Sequence, residues 1–429
     1  MQEIQILREW GVDVEILVAD MAQIRPISSP ISSSWLMNSW GTQYHDVVQI
    51  EASLRLLVES YPQFTRLVQI GASVQGRPIL GVVLTDNPWT RDLDEPALRV
   101  LGGQHGDEWA STEVALATAW HFAEGYESNP SIRNLLDTSE LWIIPVVNPD
   151  GMAEFTRNNS NNVDLNRNYS FAWQNRAYSG SAPFSEPETR AIRLWGMARV
   201  FYHSLSLHSG AANIGWVWNH TTDLCADNEW MEMVSTHYLE ATTYPDFWIT
   251  NGADWYIVYG DTNDWSYGER GGHDYTLELS ENKNPPQAGL PALMEHHIPA
   301  IENFFGIDGM RGVRGRILDE AGNGVEAKIS LGGEGAYSYS DFETGAYHRL
   351  LPAGSHLLRV DAHGFEPQFF TAELNSQAPS VLNFNLTTLA ALDGFSVLKR
   401  EQLIDEAGEV SICGVDGEAL SWGVYRASF

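Results

Sequence analysis

The chain has 429 residues, enough for one large domain and one or two small ones, and its composition is that of a globular protein. With 25 basic against 56 acidic side chains, its formal net charge of −31 argues against nucleic acid or an anionic membrane as the main partner. The two cysteines, Cys225 and Cys413, read as isolated thiols, and no apolar run reaches the roughly 18 residues that would predict a transmembrane anchor.

Residues 1–10 predict a helix with Ile4, Ile6, Leu7 and Trp10 on one side, and residues 12–18 a short strand. The start is mixed in charge and unlike a secretory signal, and residues 21–43, with Pro26, Pro30 and serine clusters, read as a linker. A helix follows from Tyr44 to Tyr61, then strands over 65–70 and 78–85. Ser73 between them lacks both the Gly-x-Ser-x-Gly pattern and a following helix, so it is not read as a nucleophile. The next strand, 97–101, runs into Gly102-Gly103-Gln104-His105-Gly106-Asp107-Glu108, and 110–126 predicts a buried helix in which His121 reads as a packed or surface histidine rather than a ligand.

Residues 141–147 are nearly all apolar, as in a central strand covered on both faces, and stop at the turn signal Asn148-Pro149-Asp150-Gly151. A polar stretch from Arg157 to Tyr169 comes next, then a helix over 187–200 with Ser185 as its expected N-cap. The apolar run 200–207 ends on His208, and 213–220 is aromatic and strand-like. After a helix over 228–244, the glycines and aromatics of 249–265 suit a loop covering a substrate. Residues 275–280 predict a strand containing Glu278, and 288–305 a closing helix with Glu295, His296 and His297 on its surface.

His105 and Glu108, three positions apart, can turn toward one point if the backbone between them curls. Alone, such a pair often serves only a hydrogen-bonded loop. His208 supplies a third donor, and catalytic zinc commonly takes three protein ligands plus a separate carboxylate that moves the proton, here Glu278. In an open α/β sheet the site lies beyond the carboxyl ends of the strands, and the strands ending near Leu101, Val147 and Leu207 each open into a loop rich in His, Glu, Asn or Arg.

At these residues the sequence resembles the zinc metallocarboxypeptidases, in the regulatory branch that includes carboxypeptidases D, E, M and N. The resemblance covers roughly 44–388 and rests on His105-x-x-Glu108, Asn148-Pro149-Asp150-Gly151, Arg157 with Asp164-Leu165-Asn166-Arg167-Asn168, His208, Ile249-Thr250-Asn251-Gly252-Ala253-x-Trp255-Tyr256 and Thr276-Leu277-Glu278-Leu279-Ser280. It implies one zinc per chain on His105, Glu108 and His208, with Glu278 as general base and Arg157 holding the developing oxyanion. Asn166, Arg167 and Tyr256 would grip the terminal carboxylate of a peptide or protein substrate. Where the basic-specific enzymes of that branch carry Asp and often Gln in the side-chain pocket, this chain carries Asn219 and Asn263. That leaves Asp254, Asp261, Asp264 and Glu269 as the candidate sources of a pocket charge.

The implied fold is α/β, a mixed, mostly parallel sheet flanked by helices, followed by a small all-β transthyretin-like sandwich. The expected division is 1–43 as an N-terminal extension and linker, 44–306 as the catalytic domain, 311–388 as the sandwich and 389–429 as a β-prone extension. Residues 1–20 also resemble the end of the pro-segment that precedes secreted carboxypeptidases. The resemblance favours a secreted or extracellular monomer, although no signal peptide is read in the chain. Two other readings remain open at this stage: a zinc amidohydrolase acting on cell-wall peptide or polyglutamate side chains, and a catalytically silent binding module that keeps the fold.

Overall fold

The computed structural model describes residues 40–90, 92, 95–306, 312–331, 334–374 and 380–389. The helix and strand expected over 1–20, nearly all of the linker, Cys413 and nearly all of the β-prone extension lie outside the described residues.

The larger unit is built on eight strands: β1 (Thr65–Ala72), β2 (Pro78–Leu84), β3 (Ala97–Leu101), β4 (Glu140–Ile144), β5 (Phe201–His208), β6 (Ala211–Trp216), β7 (Trp248–Asn251) and β8 (His273–Ser280). They lie in the order β1-β2-β4-β3-β5-β8-β6-β7. β4, β3, β5 and β8 are mutually parallel, while β1, β2 and the β6–β8 pair bring in antiparallel contacts. Every residue of β3, β4 and β5 is buried; β3 and β4 are apolar but for Arg99 and Glu140, whereas β5 interleaves Ser204, Ser206 and two histidines with its apolar residues. The helices Val47–Ser60, Trp109–Gly125, Asn228–Ala241 and Leu290–Phe305 contribute to one large hydrophobic core against the sheet. Pro187–Ala198 contributes Ala191 and Ile192 to a second cluster, with Val83, Trp142 and Trp265.

The parallel arrangement carries the functional consequence. Because β3, β4, β5 and β8 run the same way, the His105 loop, Asn148, His208 and Glu278 all arrive at one edge of the sheet. Register sharpens this: His208 of β5 pairs with Glu278 of β8, and Glu278 pairs in turn with Asn213 of β6. Residues directly opposite across neighbouring strands share a face, so these three side chains form one row.

Several local expectations are corrected. β4 ends at Ile144, because the chain turns at Pro145 with Val146 and Val147 buried beyond it. Asn148-Pro149-Asp150-Gly151 opens a helix, Pro149–Glu154; the Asn148 side chain accepts from Gly151 N at 2.9 Å, and proline occupies the first turn, where its missing N–H costs nothing. Glu186, not Ser185, is the N-cap of Pro187–Ala198, and the Ser185 hydroxyl donates to the Glu186 carboxylate at 2.7 Å. The strand expected over 213–220 is β6, which ends at Trp216. Residues 249–265, expected as a loop, hold β7, the helical turn Gly252–Trp255 and the start of a helix, Thr262–Arg270, which stops at Gly271 with φ +72°. His297 is buried rather than on the surface: Tyr238 Oη lies 2.8 Å from its Nδ1, and Leu279 O lies 2.8 Å from its Nε2.

The smaller unit is a β-sandwich of β9 (Gly312–Leu318), β10 (Ala327–Leu331), β11 (Glu334–Tyr339), β12 (Ala346–Leu350), β13 (Gly354–Ala362), β14 (Gln368–Leu374), β15 (Ser380–Val381) and β16 (Phe384–Asn385). One sheet has the order β11-β10-β13-β14; in the other, β9 is flanked by β12 and β15 and also pairs with β16. Ile317, Ile329, Tyr347, Leu358 and Val360 fill the space between them.

Candidate metal centre and substrate cavity

β3 stops at Leu101, and the following loop curls before the helix Trp109–Gly125 begins, presenting His105 and Glu108 to the same point. Gly106 lets the loop approach Pro149–Glu154: a Cβ there would stand 2.0 Å from the carbonyl carbon of Gly151. His208 arrives from the end of β5. His105 Nδ1 and His208 Nδ1 are 3.1 Å apart, and each lies 3.0 Å from an oxygen of Glu108. Among the described residues these three form the one group of three His, Cys, Asp or Glu side chains placed to share a metal ion.

The donor set fits zinc. Ligand atoms about 2.0–2.1 Å from one tetrahedral ion stand about 3.3 Å from each other, close to the observed separations. His105 Nε2 lies 3.0 Å from Asp164 Oδ1, which places the ring proton on that nitrogen and leaves the Nδ1 lone pair facing its neighbours. Burial alone would raise the Asp164 pKa, yet His105 and Arg157 hold it well below the usual carboxylate range, so it stays an acceptor. Arg157 Nε donates to Asp164 Oδ2 at 3.0 Å and its Nη1 to Glu108 Oε1 at 3.2 Å, and Lys283 Nζ lies 3.3 Å from the same Glu108 oxygen.

The triad opens into a cavity with about 550 Å³ of empty space, mouth included. Glu278 lines it, and its Oε2 is buried without a hydrogen-bond partner among the described residues. Burial first, and the Glu108 charge second, push the Glu278 carboxyl up to about 8; a cation in the triad acts in the opposite sense. Arg157, Asn166, Arg167, Asn219 and Tyr256 also line the cavity. The Asn166 side-chain oxygen accepts from Thr262 N at 3.0 Å and Thr262 Oγ1 at 3.1 Å, which leaves its amide nitrogen to donate elsewhere.

Asn263 is not in the cavity lining; it lies behind it, 1% exposed, with its side-chain oxygen accepting from Thr276 Oγ1 at 2.8 Å. Of the four acids considered for pocket charge, Asp261 alone lines the cavity. Asp254 is exposed, Asp264 accepts from Asn219 N, His220 N and His220 Nδ1, and Glu269 accepts from Ser170. In the sequence Asp164 has a place in a motif but no role, and Asn213 and Lys283 are not singled out. Asp164 carried a signal, a carboxylate two residues before Asn166 and seven after Arg157, whereas Asn213 depends on an antiparallel register that no local pattern announces.

A model of the zinc carboxypeptidase family matches residues 50–300. Carboxypeptidase SOL1 of Arabidopsis thaliana is 30% identical over an alignment covering 77% of this chain and 69% of that protein. Human carboxypeptidase D is 28% identical over 80% of this chain, which spans 27% of that longer relative. The human carboxypeptidase N catalytic chain is 28% identical, with 80% and 85% covered. Among solved structures, thrombin activatable fibrinolysis inhibitor superposes with a TM-score of 0.63 at 22% identity, covering 71% of this chain and 85% of the other, a likeness of fold. The chain therefore belongs to the zinc carboxypeptidase family, on the side of carboxypeptidases D, N and SOL1, and is a metal-dependent exopeptidase with His105, Glu108 and His208 as its metal-binding triad.

Proposed function

We propose that this protein binds one zinc ion and removes single amino acids from the C-termini of peptides or proteins. The observation that carries the reading is the shared cavity: a metal triad and an orphaned Glu278 oxygen lie in one pocket with Arg167, Asn166 and Tyr256. When bound, zinc supplies Lewis acidity at the scissile carbonyl and makes water acidic enough to react near neutral pH. Glu278 takes the proton of the attacking water and passes it to the departing amine. Arg157, anchored by Asp164, donates to the carbonyl oxygen as negative charge develops on it. Arg167, the Asn166 amide and the Tyr256 hydroxyl hold the substrate's terminal carboxylate, and a guanidinium kept for that carboxylate rejects internal peptide bonds.

Mass spectrometry of a peptide library incubated with the zinc-loaded protein tests this. The expected result is loss of one residue at a time from free C-termini. Cleavage confined to isopeptide or D-residue bonds would instead identify an amidohydrolase, and no cleavage despite bound zinc would identify a binding module.

A further inference from the structure

Resting on the carboxypeptidase reading, we propose that Asp261 supplies the negative charge of the side-chain pocket, selecting a C-terminal residue with a cationic side chain, lysine ahead of arginine. The two positions that would mark such a pocket from sequence are both neutral, Asn219 and Asn263, and Asn263 does not reach it. Asp261 comes from a different position, the residue just before the helix Thr262–Arg270.

The pocket has a polar end. Gly215 and Gly252 line the pocket, and the Asn219 amide oxygen packs into the space a Cβ on Gly252 would take, 1.5 Å from that position. Asp261 is 2% exposed; its Oδ2 accepts from the Asn219 amide, while its Oδ1 is buried without a partner among the described residues. Asn213, in the same row as Glu278, is fully buried, and neither of its side-chain polar atoms has a partner among the described residues. Buried polar atoms are nearly always hydrogen-bonded, so unpaired acceptors on two elements facing one cavity point to a ligand that donates there.

Burial, then the neighbouring Asp264, push the Asp261 carboxyl well above the usual carboxylate range, with Arg167 opposing; a cationic guest relieves that cost. Asp264 cannot serve instead, since Asn219 N, His220 N and His220 Nδ1 already occupy it. Lysine is favoured because one Asp261 oxygen is taken. An arginine fork gains most from two oxygens of the same carboxylate, whereas an ammonium is a point donor that can divide its protons between Asp261 Oδ1 and Asn213 Oδ1.

The test measures kcat/KM on zinc-loaded protein for peptides identical except for a C-terminal lysine, arginine or norleucine, the last being the uncharged analogue of lysine in length. Lysine is expected first and norleucine last. Asp261→Asn should lower the lysine-to-norleucine ratio by on the order of 100-fold, the scale of unpairing a buried charge, and Asp261→Glu should restore part of it. Norleucine turned over as well as lysine, or a ratio unmoved in Asp261→Asn, overturns the assignment; arginine ahead of lysine overturns the single-oxygen argument. Should Asp261→Asn fail to fold, the three wild-type values decide. If no peptide loses a C-terminal residue, the carboxypeptidase reading fails separately. Calorimetric binding of free lysine, arginine and norleucine to the zinc-loaded protein then still reads the pocket.

Discussion

Asp227 and Glu278 are acids of the larger unit, the first buried and the second half-buried with its Oε2 out of solvent, and the partners of their oxygens separate structure from function. Asp227 meets Arg349, which crosses from β12 of the sandwich and donates through Nη2 to both carboxylate oxygens at 2.7 Å. Tyr267 Oη donates to Oδ2 at 2.9 Å, and His273 Nε2 lies 3.3 Å from the same atom. Burial would raise the Asp227 pKa, but Arg349 and His273 hold it far below the usual range. Glu278 keeps an oxygen with no partner among the described residues and is pushed up to about 8 by burial. A buried carboxylate whose oxygens are all engaged holds two parts of the chain together. One left with a spare oxygen in a cavity is set for a proton, a cation or a substrate.

That contrast can be broken at either end. The largest expected effect is at the spare oxygen: Glu278→Gln should retain zinc, measured by elemental analysis, while kcat falls by roughly 10³-fold or more as proton transfer and charge stabilisation are lost together. Near-normal turnover would remove Glu278 from the mechanism. At the paired acid the effect moves from activity to stability. Arg349→Met leaves Asp227 buried and uncompensated and should cost about 3–5 kcal/mol in denaturant unfolding. A loss below about 1 kcal/mol would mean that water or another group replaces the guanidinium.

The same pair sets a pH dependence of definite sign. Because folding depresses the Asp227 pKa, its ion pair adds stability that is complete above the ordinary carboxylate value of about 3.9 and is lost as pH falls through the depressed range. Thermal melts from pH 6 downward should therefore fall more steeply for the wild type than for Arg349→Met; parallel curves would contradict the pairing. The smallest effect is expected at the cap that packs the metal loop in place. Asn148→Ala should cost about 1 kcal/mol, with most activity kept.

The same distinction between local and non-local information decides how much was legible in the sequence. β3 announces itself as an apolar run and β5 and β8 as strand-like stretches with leucine at alternate positions, and His105, His208 and Glu278 stand at or near their ends. Parallel topology then gathers them, and the ordered family motifs name the chemistry. Asn213 was not legible, since its place beside Glu278 follows from β6 turning back antiparallel onto β8. Asn263 pointed the wrong way for a related reason: the helix starting at Thr262 turns it behind Thr276 and leaves Asp261 at the cavity. The glycines and aromatics of 249–265 suit a covering loop and so conceal that helix. His297 follows the polar Glu295 and His296 and so resembles a surface histidine, but Tyr238 and the Leu279 carbonyl engage both ring nitrogens inside the core.

The chemistry depends on His105 and Glu108 sharing one ion with His208, which is remote from them in sequence. Metal analysis of the wild type and His208→Ala after dialysis against limiting zinc tests this most directly. One zinc per wild-type chain and essentially none in a folded His208→Ala variant is the predicted result. A full equivalent of zinc retained without His208 would contradict it.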